Sequence, residues 1–170
     1  MGTITRYSHH EGGTFLSLIE KELVFNNLSF DSRTEALTYL ANQLYENKKV
    51  KDTYKDAILA REQKFPTSLP TGKIEVAIPH ADWQNVNTST LAVATLAKPI
   101  AFHNMGDPKN YVHASIIIML AIAEPKGQIK MLENLMSIVR NQDHLQNLIS
   151  YKNNEDLYED LDKTFNSIKL

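Results

Sequence analysis

The chain has 170 residues, 42% of them hydrophobic and 22% charged, with no cysteine and a formal net charge of −2. That length suggests one domain around one core, and the missing cysteine excludes disulfides, thiol catalysis and cysteine-based metal sites while fitting a reducing compartment. With the charge near balance and no long run of one sign, neither a nucleic-acid-binding face nor a polybasic membrane anchor is expected.

Residues 1–13 are polar and lack the apolar core of a signal peptide. Gly2 invites a myristoylation reading, but that motif needs Ser or Thr at position 6, where this chain has Arg6. Residues 1–13 therefore read as a flexible segment bounded by Gly12-Gly13, and residues 14–170 as the single domain. Residues 14–21 read as a short turn, and Leu23-Val24-Phe25 as the start of a strand. Ser32 and Glu35 form a capping box, followed by Leu37, Leu40, Ala41 and Leu44 at helical spacing. Asp52 can cap a second helix with Tyr54, Ala57, Ile58, Arg61 and Phe65 on one stripe, ended by Pro66 and Pro70.

Three β-like runs follow, at residues 74–78, 90–96 and 112–123. The third is apolar without alternation, the pattern of a strand covered on both faces. Its most apolar part, residues 114–123, is too short for a bilayer, which takes about 20 residues. The chain is thus expected to be cytoplasmic. Gly127 precedes a helix carrying Met131, Leu132, Leu135, Met136 and Val139. Asp143 can cap a shorter helix with Leu145, Leu148 and Ile149, and Leu157, Leu161, Phe165 and Ile168 mark a last one. Helices flanking central strands make an α/β sandwich, with a sheet that can be mixed.

His80 is the first candidate for chemistry. It follows a strand-like run and Pro79, and open α/β sheets gather ligands at the carboxyl ends of their strands. A neutral imidazole keeps one nitrogen free as a nucleophile. The competing reading is a structural histidine beside a turn. Arg61 falls on the apolar stripe of its helix, and a buried charge needs a partner. A phosphoryl group would serve, because a guanidinium fork binds its oxygens in pairs. The plainer alternative is a snorkelling arginine. Gln128 sits in the first turn of its helix, where free N–H groups favour an anion; a simple polar helix start is the alternative. His113 reads as a satisfied core histidine, His103 lies in a turn-like loop, and His144 follows a helix cap. His9 and His10 make a poor metal site. No zinc-protease, Walker or dinucleotide motif occurs, so neither a metal nor a nucleotide cofactor is expected.

The segments Arg61-Glu62-Gln63, Pro66-Thr67 and Val76-Ala77-Ile78-Pro79-His80-Ala81, with Lys98-Pro99-Ile100, Met105-Gly106, the run 116–123 and the helix 128–139, resemble the enzyme IIA component of the phosphoenolpyruvate-dependent sugar phosphotransferase system, in the fructose–mannitol superfamily. The resemblance covers roughly residues 20–165. It implies an α/β sandwich with a mixed central sheet, a phosphorylated histidine at His80 and a site arginine at Arg61. It implies the histidine-containing phosphocarrier protein as donor, a cognate enzyme IIB as acceptor, and a membrane enzyme IIC reached only indirectly. The phosphoryl group would come ultimately from phosphoenolpyruvate. Fructose- and mannitol-type members carry a second site histidine where this chain has Gln128, a feature that resembles the galactitol or galactose subgroup. Gln128 can donate a hydrogen bond to the phosphoryl group but cannot exchange protons near neutral pH.

Phosphoryl transfer asks mainly for positioning and electrostatics. His80 is expected to accept the group through one ring nitrogen while an unnamed acceptor holds the other. Arg61 is expected to neutralise the oxygens and Gln128 to add a neutral donor. The ring is expected to be exposed in a shallow depression rimmed by Phe65, Leu69 and Trp83. The rival readings are a regulator whose His80 phosphorylation is read by a target protein, a degenerate binding module without transfer, and a hydrolase using His80 as a base.

Overall fold

In a computed structural model of the chain, the described residues are 8–10, 13–15 and 18–165. Ser8–His10 (β1) pairs antiparallel with Gly13–Phe15 (β2); residues 1–7, 11–12 and 16–17 lie outside the described residues. The turn expected over residues 14–21 is replaced by β2 and by the start of a ten-residue strand, Ile19–Leu28 (β3). Ile19, Leu23 and Val24 explain why. Each is buried, and each needs a neighbour that a turn would not supply.

The sequence then forms Arg33–Glu46 (α1), Tyr54–Lys64 (α2), Ser68–Leu69 (β4), Glu75–Ala77 (β5), a short 3₁₀ turn at Trp83–Asn85, Thr90–His103 (β6), Tyr111–Ala121 (β7), Pro125–Val139 (α3), Gln142–Ser150 (α4) and Asn154–Phe165 (α5). Ile168, expected on the last helix, lies outside the described residues. Ser32 caps α1 by accepting the Glu35 N–H, and Glu35 reaches back to the N–H of Asp31 rather than that of Ser32. α2 starts after Thr53, not from an Asp52 cap, and Thr53 uses its hydroxyl on Asn85 instead. α4 is capped by Asn141, which accepts the His144 N–H, not by Asp143.

The five strands β3, β6, β7, β5 and β4 form one sheet in that order. β3 runs parallel to β6, β6 antiparallel to β7, β7 parallel to β5, and β5 antiparallel to β4. The sheet is therefore mixed. β6 extends well past the expected end at residue 96, because its register slips between Thr95 and Ile100 and pairing with β7 then resumes to His103 and Tyr111. Pro99 sits in that slip, where a missing N–H does least harm.

Helices cover both faces. Ile116, Ile118 and Leu120 of β7 pack with Met131, Leu135, Leu145, Leu157 and Phe165 of α3, α4 and α5. Ile117, Met119 and Ala121 point the other way, toward Leu37, Leu40 and Leu44 of α1 and Tyr54 and Ile58 of α2. This strand is buried on both faces from residue 116, which is why it shows no alternation there. Each fully buried Leu or Ile contributes about 1.5–3 kcal/mol. At its start the strand does alternate. Val112 and Ala114 face inward and His113 is exposed, so His113 is not a core histidine. Among the described residues no helix is long and apolar enough to cross a membrane.

Candidate functional site

β5 ends at Ala77, and the chain leaves the sheet through Ile78, Pro79 and His80 at the carboxyl end of the strand. Two contacts with β7 fix this exit. The Leu120 N–H donates to the Pro79 carbonyl at 2.9 Å, and His80 forms a parallel bridge with Leu120. The Leu120 carbonyl in turn accepts the hydroxyl of the fully buried Tyr54 at 2.6 Å, so the first residue of α2 is pinned beside the same exit. Burial raises the Tyr54 pKa and keeps the hydroxyl protonated, as a donor to a carbonyl requires.

The His80 ring folds back on its own strand. Its Nδ1 lies 2.9 Å from the Ile78 carbonyl. A carbonyl only accepts, so Nδ1 carries the proton and Nε2 keeps its lone pair. The acceptor that the sequence left unnamed is thus a backbone group two residues away. Burial lowers the His80 pKa, the bond to Ile78 opposes that shift, and the charge of Arg61 adds to it. The ring is consequently neutral at neutral pH. It is also only 7% exposed, less open than the shallow depression expected, because the fold-back tucks it against the backbone.

Arg61 and Gln128 both reach the loop that follows. Arg61 Nη1 lies 3.5 Å from Asp82 Oδ1, and its guanidinium rests 5.7 Å from the centre of the Phe65 ring. The Arg61 side chain is 36% exposed, so it does not lie on the buried stripe of α2. That stripe is Tyr54, Ile58 and Glu62, each four residues after the last. Phe65 falls beyond the helix end and is exposed, which removes the anchor for the expected phase. The Arg61 Nε atom is nevertheless buried without a hydrogen-bond partner. Gln128 Nε2 donates to the Ala81 carbonyl at 2.8 Å, which sets the first turn of α3 against the residue after His80. α3 begins with Pro125 and has no side-chain cap, and the Gln128 bond sets its positive first turn beside the Ala81 carbonyl.

Of the expected rim, Phe65 and Trp83 are exposed, whereas Leu69 is buried in the core and forms no rim. Ile129, next to Gln128, is a further exposed apolar residue, at 62%. Asp82 was missed by the sequence reading. Its only sequence signal is its position two residues after His80. His103 and His144 are occupied elsewhere. His103 Nδ1 donates to the Pro108 carbonyl and its ring stacks on Tyr111, while His144 Nε2 lies 2.7 Å from Asp160 Oδ1.

This arrangement offers one unprotonated ring nitrogen, one guanidinium with spare donors and one helix start, all around residues 80–82. Groups of these kinds can accept and hold a phosphoryl group. Comparisons with known proteins point the same way. Residues 17–164 match the family model described as phosphoenolpyruvate-dependent sugar phosphotransferase system, EIIA 2. The chain is 30% identical over 127 residues to the galactitol-specific EIIA component of Escherichia coli K12, spanning 75% of this chain and 84% of that protein. The fold superposes with a TM-score of 0.70 on the crystal structure of IIA mannitol from Escherichia coli, at 20% identity over 84% of this chain and 98% of the other. The IIA chain in a complex of enzyme IIAMTL with phosphorylated enzyme IIBMTL from Escherichia coli superposes with a TM-score of 0.69, at 20% identity over 82% and 94% of the two chains.

Proposed function

The chain belongs to the EIIA 2 family of the phosphoenolpyruvate-dependent sugar phosphotransferase system, and we propose that it is a cytoplasmic phosphocarrier of galactitol-like type with His80 as its phosphoryl acceptor. The observation that carries this reading is the bond from Nδ1–H to the Ile78 carbonyl, which leaves Nε2 as the free nucleophile. The donor is the histidine-containing phosphocarrier protein. Nε2 forms a bond to phosphorus as the donor's N–P bond breaks, and the donor nitrogen keeps the released electron pair. The Nδ1 proton stays where it is throughout.

Arg61 then turns from Asp82 to the phosphoryl oxygens, a modest change because that ion pair is long and Asp82 is 72% exposed. Gln128 keeps one amide hydrogen on Ala81 and has a second to offer. The first turn of α3 adds a positive field. In the second transfer a side chain of the cognate enzyme IIB attacks phosphorus, and the N–P electron pair returns to Nε2. The structural relative solved with phosphorylated enzyme IIB supports this choice of acceptor. Exposed Phe65, Trp83 and Ile129 supply apolar contact for both partners.

The test is phosphotransfer from phosphoenolpyruvate through the two general phosphocarriers, read by mass spectrometry. One acid-labile phosphoryl group on the wild type, absent from His80→Ala, is the expected result. An unlabelled wild type, beside a control acceptor that does label, overturns the reading.

A further inference from the structure

Glu62 occupies the place on α2 where an apolar residue would pack. It is 6% exposed and continues the buried face of Tyr54 and Ile58. A carboxylate there is unfavourable unless its oxygens are bonded. Both are, and to one residue. Oε1 accepts the Thr67 N–H at 3.1 Å, and Oε2 accepts the Thr67 hydroxyl at 2.6 Å. Burial still holds the Glu62 pKa above the ordinary range, against the pull of those two bonds and of the charges on Arg33 and His103.

The consequence lies beyond Thr67. Its carbonyl accepts the Ile78 N–H at 3.2 Å, and the Ile78 carbonyl accepts the His80 Nδ1–H at 2.9 Å. An unbroken series of bonds therefore runs from the Glu62 carboxylate to the imidazole. Thr67 immediately precedes β4, so its position also sets the register in which Ser68 and Leu69 meet Ala77 and Val76. Glu62 follows Arg61 on the helix, so the same clasp fixes the end of α2 that carries the guanidinium. A hydrophobic residue would fill the volume without locating Thr67.

We propose that Glu62 is a positioning residue for phosphoryl acceptance: its two-oxygen clasp on Thr67 sets the Ile78 peptide that holds His80 with Nδ1 protonated and Nε2 free. This rests on the reading of His80 as acceptor. It predicts a graded series. Glu62→Gln can keep the clasp, accepting the Thr67 N–H through its carbonyl and donating to the Thr67 hydroxyl oxygen, and stays within about twofold of wild type. Glu62→Ala loses both bonds, and Thr67→Val loses the hydroxyl bond while keeping the backbone N–H that donates to Oε1.

Two readouts are taken on the same variants. The first is the rate of His80 labelling against donor concentration. The second is the ¹⁵N signature of the His80 ring, which reports the tautomer without any phosphoryl donor. The expected result for Glu62→Ala is a labelling rate about tenfold lower or more, with the donor dependence unchanged and the ring shifted to a mixture of tautomers. Thr67→Val, which keeps the side-chain shape, should move both readouts the same way, and it decides the matter if Glu62→Ala does not fold. Wild-type tautomer and rate in either folded variant overturns the proposal, as does a loss in Glu62→Gln as large as in Glu62→Ala. If the wild type takes no label, the phosphocarrier reading fails, and the ring signature alone then judges the role of Glu62.

Discussion

His80 and His144 are both shielded histidines with a close oxygen partner, yet the fold leaves them with opposite prospects. His80 spends Nδ1 on a backbone carbonyl and keeps Nε2 free beside a guanidinium. His144 spends Nε2 on the carboxylate of Asp160, with Thr164 close to the same nitrogen. Asp160 also accepts the Tyr151 hydroxyl at 2.5 Å, which pushes the Tyr151 pKa up to about 12. Burial works against the Asp160 charge, but the bonds from His144, Tyr151 and Thr164 outweigh it and hold its pKa below the ordinary range. The second group is a clamp between α4 and α5 in which both oxygens of the Asp160 carboxylate are engaged. A reactive histidine is marked by the groups that surround its ring, here a guanidinium and not a carboxylate, and not by burial or by the presence of a partner.

The sharpest way to break this contrast is to remove each ring in turn. His80→Ala should abolish labelling, and His144→Ala should leave the label intact while lowering the melting temperature. If His144→Ala loses the label with the fold preserved, the contrast is wrong. Arg61→Ala should slow labelling about a hundredfold, the usual scale for losing one group that stabilises transition-state charge; steady-state transfer rates check it. Gln128→Ala should cost about tenfold by freeing the Ala81 carbonyl and loosening the loop beyond His80. Asp160→Asn should lower stability by about 1–3 kcal/mol in denaturant titration, with labelling unchanged.

The smallest effect is on pH dependence. Because the His80 pKa is lowered, the folded ring is neutral in more than half of the molecules at about pH 6.5, where a free imidazole is half protonated. Labelling should therefore fall less as pH passes through that value than it would for a free imidazole. The same shift means that the unfolded chain binds the proton first, so the His80 contribution to stability is present above about pH 6.5 and is lost on acidification. Asp160 adds a second acid-side loss at lower pH. Its folded pKa is depressed, so its contribution is present above the ordinary carboxylate value and disappears as pH falls through the folded one.

The sheet-and-helix plan was legible because α1, α3, α4 and α5 carry clean apolar spacing and β7 carries an apolar run long enough to be read. His80, Arg61 and Gln128 were singled out from position and resemblance, and the fold brings all three to residues 80–82. Glu62 was not legible. Counting Phe65 into the stripe of α2 rotated its buried face by one residue and made Arg61 the anomaly in place of its neighbour. The extension of β6 was hidden by Lys98-Pro99, which reads as a strand breaker until the slipped register is seen. Asp82 had only its place two residues after His80 to mark it, being a common loop residue, and the Ile78 carbonyl had no signal to give, since it is backbone.

The pairing of β5 with β7 has a kinetic side. β6 and β7 are joined by the short loop 104–110 and can zip as a hairpin, an event of about 1–10 μs. β5 must instead reach β7 in parallel from far along the chain, so that Val76 meets Ile116 and His80 meets Leu120. Contacts of such long sequence separation form slowly. Hydrogen exchange during refolding should accordingly protect amides shared by β6 and β7 before the Leu120 N–H that bonds Pro79. A chain caught between those events already owns the imidazole but has not yet assigned its proton, so competence to take a phosphoryl group becomes a late marker of completed folding.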